Sequence, residues 1–105
     1  MTLDRVEMGE GYLGSAFFTC KMPAFTRNAF NVAHGGALTT YVDIATTAAL
    51  YGFDIKRRTQ VSAKLDMEFM SACDIDQEIL IEARVNRVGK GLAFTEGRLT
   101  DLKTQ

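Results

Sequence analysis

At 105 residues the chain is sized for one domain with a modest core, and a partner subunit would add buried surface that so short a chain lacks. Hydrophobic residues make up 47% and charged residues 24%, a balance that suits a soluble globular protein and excludes a disordered one. The formal net charge of −1 supplies no broad pull on nucleic acid or an anionic membrane, so an anionic ligand has to be held by local basic groups.

The chain begins with an acidic, mixed stretch (Asp4, Glu7, Glu10), unlike a signal or transit peptide. Gly9 and Gly11 lead into Tyr12 to Met22, a segment whose composition suits a strand, and Pro23 ends it. Thr26 to Ala33 reads as a loop. The helix extends from about Gly35 to Tyr51, with Gly52 as its stop. Ala37, Leu38, Tyr41, Val42, Ile44, Ala45, Ala48, Ala49 and Leu50 leave it no wide polar face, which predicts a buried helix. Asp54 to Arg58 form a polar turn. Three strand-like stretches follow, Thr59 to Met70, Glu78 to Val88 and Leu92 to Leu102. The middle one alternates, with Ile79, Ile81, Ala83 and Val85 on one face. Gly89, Lys90 and Gly91 make a hairpin connection.

One strand, a central helix and then consecutive antiparallel strands predict an α+β fold, a single domain over residues 1–105 in which a sheet curls around the helix. Cys20 and Cys73 are far apart, with no CxxC and a single histidine, so neither a zinc site nor a disulfide framework is expected, and no cofactor is implied. No run approaches the roughly 20 apolar residues that cross a bilayer. A cytoplasmic protein without a membrane span is expected, a mitochondrial location being left open.

The string Asn28, Ala29, Phe30, Asn31, Val32, Ala33, His34, Gly35, Gly36, Ala37, Leu38, followed by Val42 and Asp43, resembles the hotdog thioesterases of the PaaI-like and thioesterase-superfamily-member-2 group. Val61, Ser62, Met67, Phe69, Met70 and Ser71 resemble that family's next strand and turn, and Gly89, Lys90, Leu92, Ala93, Phe94 and Thr95 its later hairpin. An asparagine six residues before the histidine, an aspartate nine after it and the later serine form a specific set. The resemblance implies a hotdog fold and hydrolysis of acyl-CoA to a free fatty or aryl acid and CoA. It also implies a homodimer with shared active sites, or a homotetramer as a dimer of dimers. Members often have glycine at Asn31 and proline at Ala72. They usually carry one more strand after the position of Leu102, so the sheet is expected to be one strand short.

Thioester hydrolysis needs a donor for the carbonyl oxygen as it becomes an anion, and a base or polariser for the attacking water. Gly35 stands at the helix start, where N–H groups lack intrahelical partners and the dipole favours negative charge. In the resembling enzymes this amide polarises the carbonyl, with Asn28 near the same carbonyl or water. Asp43 lies between Val42 and Ile44, where an ionised carboxylate is costly unless hydrogen-bonded. The resemblance makes it the group that orients or activates water, and makes Ser62 the serine that helps position that water. Eight helical residues span about 12 Å, too far for Gly35 and Asp43 of one chain to share one carbonyl. A two-fold dimer, with Gly35 of one subunit meeting Asp43 of the other, resolves this.

For substrate contacts the resemblance points to His34 and Gly36, to Phe69, Met70, Ser71, Ala72, Cys73 and Asp74, and to Arg87, Val88, Gly89, Lys90, Gly91 and Leu92. Arg87 and Lys90 are the natural phosphate partners. The Lys56, Arg57, Arg58 cluster is a weaker phosphate candidate that reads more simply as a solvated turn, and His34 reads as a residue that caps or braces the helix start. Two rival activities are a hotdog dehydratase or hydratase using His34, and an inactive acyl-CoA-binding paralogue.

Overall fold

The structure, a computed structural model, describes residues 1–102. Four antiparallel strands lie in sequence order, β1 (Thr2–Met8), β2 (Gly14–Lys21), β3 (Glu78–Val88) and β4 (Ala93–Asp101). A single 3-10 turn (Ala24–Thr26) and the helix α1 (Gly35–Phe53) are inserted between β2 and β3.

β3 is the spine of the sheet. Its alternation places Ile79, Ile81, Ala83 and Val85 on the inner face, all at 2% exposure or less, opposite Cys20, Phe18, Ala16 and Gly14 of β2. α1 crosses this face with Leu38, Val42, Ala45, Thr46 and Ala49 turned inward. Close approach depends on small partners. A Cβ built on Gly97 of β4 would stand 2.6 Å from Cγ1 of Val42, so a side chain there would force helix and sheet apart.

Four sequence expectations are corrected. First, β1 is a strand although its mixed residues did not suggest one. It pairs with β2, from Thr2 with Thr19 to Met8 with Gly14, and its Arg5 guanidinium covers the Phe17 ring at 3.8 Å on the outer face of the sheet. Second, α1 continues through Gly52 to Phe53. The stop is Asp54, whose N–H donates to the Leu50 carbonyl while its carboxylate accepts from the amides of Lys56 and Arg58.

Third, α1 is not enclosed. Thr40, Ile44, Thr47, Ala48 and Tyr51 form an exposed stripe, 51% open at Ile44 and 48% at Tyr51. Fourth, Thr59–Met70 joins no sheet. An extended segment becomes a strand only when neighbouring backbone groups pair with it. This one is separated from β4, the last strand of the sheet, by a cavity that both of them line. Residues 103–105 lie outside the described residues, and so does the position after Leu102 where a further strand was expected to be absent. Among the described residues no helix is long and apolar enough to cross a membrane.

Candidate active site

The helix start is built by a self-bracing loop. Oδ1 of Asn28 accepts from the amides of Phe30 at 2.8 Å and Val32 at 3.2 Å, and the Asn28 amide donates to the Val32 carbonyl at 2.8 Å. Asn31 takes φ +68°, the left-handed region that glycine enters freely and asparagine tolerates. This is why asparagine can stand where the resembling proteins often have glycine. The loop is bolted at its far end, where Ala33 N–H donates to the Cys73 carbonyl at 2.8 Å and His34 N–H to the Thr26 carbonyl at 2.7 Å.

His34 is the N-cap of α1, its Nδ1 accepting from the Gly36 amide at 2.8 Å. The cap therefore takes up the Gly36 N–H, whereas the Gly35 N–H has no acceptor among the described residues. Gly35 also has a neighbour that sequence did not assign to it. A Cβ built there would lie 3.3 Å from Cζ of Phe69, so the Phe69 ring rests against the helix start.

Two turns along α1, the half-buried carboxylate of Asp43 accepts a 2.6 Å hydrogen bond from the Ser62 hydroxyl. Asp43 thus has the polar partner that its place between Val42 and Ile44 demands, and the bond ties the Thr59–Met70 segment to the helix. Both residues line a cavity of about 1750 Å³ running between that segment, α1 and β4.

The remaining candidates divide clearly. Phe69, Met70, Ser71, Ala72, Cys73, Val88, Gly89, Lys90, Gly91 and Leu92 line the same cavity as Asp43 and Ser62. Asn28, His34, Gly35, Gly36, Asp74 and Arg87 do not. Arg87 instead stacks over the Phe94 ring at 5.0 Å, and Asp74 closes a turn with Gln77. Cys73 is buried, and that burial pushes its thiol pKa up, which suits packing rather than chemistry.

Sequence reasoning missed one constellation. Arg58, expected to be solvated, donates to both oxygens of Asp54 and also to the carbonyls of Lys90 and Gly89. The hydrogen bond from Arg58 holds the Asp54 carboxyl below the usual carboxylate range. The one hint in the sequence was an acid and a base four residues apart just beyond a helix, a pattern too common to single out.

The loop leaves an amide free at the head of the helix, and a carboxylate–hydroxyl pair stands two turns farther along it. The family model described as thioesterase superfamily matches residues 30–105. The chain belongs to the thioesterase superfamily. Acyl-coenzyme A thioesterase 13 of Homo sapiens is 30% identical over 102 residues, covering 97% of this chain and 72% of that protein. The Mus musculus protein of the same name is 35% identical over 77 residues, covering 73% of this chain and 54% of its own length.

Among solved structures, zebra fish thioesterase superfamily member 2 superposes with a TM-score of 0.80 at 29% identity, over 94% of this chain and 71% of that one. The E. coli PaaI protein from the phenylacetic acid degradation operon gives 0.81 at 17% identity, over 99% and 73%, a likeness of fold alone. The α+β hotdog architecture is thereby established for this thioesterase-superfamily chain.

Proposed function

We propose that this protein hydrolyses acyl-CoA thioesters to a free acid and CoA by direct attack of water, in a homodimer whose two sites each use Gly35 of one subunit and Asp43 of the other. The observation that carries the reading is the 2.6 Å bond from Ser62 to Asp43 in the cavity wall. It orients a carboxylate whose second oxygen remains available to a water molecule. That oxygen takes a proton as water adds to the carbonyl carbon. The Gly35 N–H holds the developing oxyanion, and collapse of the adduct breaks the C–S bond. The departing sulfur takes that proton back from Asp43 and leaves as the CoA thiol, which returns Asp43 to its carboxylate form.

Two features support a shared site. The cavity that contains Asp43 and Ser62 does not include Gly35, and the exposed Thr40, Ile44, Thr47, Ala48, Tyr51 stripe carries no charged side chain, which suits a two-fold partner. The capping bond of His34 favours hydrolysis over a histidine-based hydration, since its Nδ1 is already engaged by the Gly36 amide. Acyl-coenzyme A thioesterase 13, at 30% identity, is the relative whose name points to the substrate class.

The test is an assay of purified protein with acyl-CoA substrates of several chain lengths. Hydrolysis is expected for the wild type, and Asp43→Ala should lower kcat by about 10³-fold while leaving melting temperature and oligomeric state in place. An Asp43→Ala protein with full turnover would refute the mechanism.

A further inference from the structure

A single guanidinium joins the end of α1 to the β3–β4 hairpin. Nε and Nη2 of Arg58 donate to the two oxygens of Asp54 at 3.2 and 3.4 Å, Nη1 donates to the Lys90 carbonyl at 2.9 Å, and Nη2 to the Gly89 carbonyl at 3.3 Å. Asp54 is itself immobilised. Its side chain is only 4% exposed, its amide closes the helix, and its carboxylate accepts two backbone amides. A planar fork with five donors can hold a carboxylate and two carbonyls together, which a lysine ammonium cannot reproduce.

This geometry separates two kinds of cation. Arg58 directs its donors into the protein, so it is not a free partner for a ligand anion. Lys90, between two glycines at the exposed tip, forms no ion pair among the described residues. Apart from the strand ladder, the hydrogen bonds that leave the turn among the described residues go to Arg58. Two glycines make the turn permissive, and Arg58 restricts it.

The hairpin and the reactive pair share one cavity, lined by Asp54, Arg58 and residues 88–92 as well as by Asp43 and Ser62. Asp43 is eleven residues before Asp54, about 16 Å along a helix. The separation suits a long substrate with its thioester at one end and its phosphates at the other. Resting on the thioesterase reading above, we propose that Arg58 is a positioning residue. It fixes the β3–β4 hairpin so that Lys90 and the turn amides receive the nucleotide phosphates of CoA, and it governs affinity for CoA rather than the rate of C–S cleavage.

The experiment compares wild type, Arg58→Met and Arg58→Lys, using titration calorimetry with CoA and steady-state kinetics on two substrates with the same acyl group. One is the CoA thioester and the other the N-acetylcysteamine thioester, which lacks the nucleotide. Arg58→Met is expected to weaken CoA binding and raise KM for the CoA thioester about five- to tenfold, with kcat and the short substrate little changed. Arg58→Lys keeps a cation beside Asp54 but cannot also bridge both carbonyls, so it should give an intermediate loss. If Arg58→Met fails to fold, Arg58→Lys decides.

Unchanged CoA affinity, or an equal effect on both thioesters, overturns the proposal, as does a wild type that does not bind CoA. A wild type that binds CoA yet cleaves neither thioester overturns the hydrolase reading instead. In that case the calorimetric loss in the variants still establishes the role of Arg58.

Discussion

The two sides of the sheet's inner face are organised differently. Toward β2, β3 and the buried face of α1 the molecule is closed by apolar side chains, with Ile81, Ala83, Val85 and Ala45 at 0% exposure. Toward β4 and the Thr59–Met70 segment it is open around a cavity and is held by polar bonds, Ser62 to Asp43 at one place and Arg58 to the hairpin at another. The closed side obtains its stability from removing apolar surface from water, a non-directional effect that fixes the fold but confers no chemistry. The open side relies on directional bonds between groups that can also meet a substrate.

Changes on each side sharpen this contrast. Ile81→Ala should cost about 2–5 kcal/mol of unfolding free energy, read from urea melts, while the folded fraction keeps its kcat. Ser62→Ala should do the reverse, lowering kcat about tenfold, or roughly 1.4 kcal/mol of activation free energy, with stability lowered by only about 1 kcal/mol. A Ser62→Ala protein that lost stability as Ile81→Ala does would show the contrast to be false.

The smallest effect concerns acid. Because Arg58 lowers the folded pKa of Asp54, the carboxylate contributes stability that is complete above its unfolded pKa. That contribution is lost as pH falls through the lower folded value. Wild type should therefore lose stability more steeply below about pH 4 than Asp54→Asn, measured by thermal melts across pH. Parallel curves would remove Asp54 from the account.

The same contrast explains what could be read from the sequence. β3 was legible because alternation and burial are one property in a strand with a core on one side, as Ile79, Ile81, Ala83 and Val85 show. The helix start was legible through the Asn28 to Gly36 string, whereas Asp43 and Ser62 were singled out separately by resemblance and the bond between them was not legible. β1 was not legible, because Thr2–Met8 is exposed throughout and becomes a strand by pairing with β2 and by laying Arg5 on Phe17. Thr59–Met70 carries the composition of a strand, but composition cannot supply the neighbour that its backbone needs. Arg58 was hidden because a charged residue in a turn looks the same in sequence whether it meets water or two carbonyls 31 and 32 residues away.

The central claim is that each site takes its amide from one subunit and its carboxylate from the other, and subunit complementation addresses it most directly. Gly35→Pro removes the amide proton in a backbone that accepts proline, at the first helical position and after an extended His34 (φ −65°, ψ 137°), with its ring meeting the Phe69 side chain 3.3 Å away. Gly35→Pro and Asp43→Ala should each be inactive alone. Unfolded and refolded together in equal amounts, they should recover about a quarter of wild-type turnover, because half the dimers are mixed and each mixed dimer holds one intact site of two. No recovery from a mixture shown to contain mixed dimers would contradict the shared site.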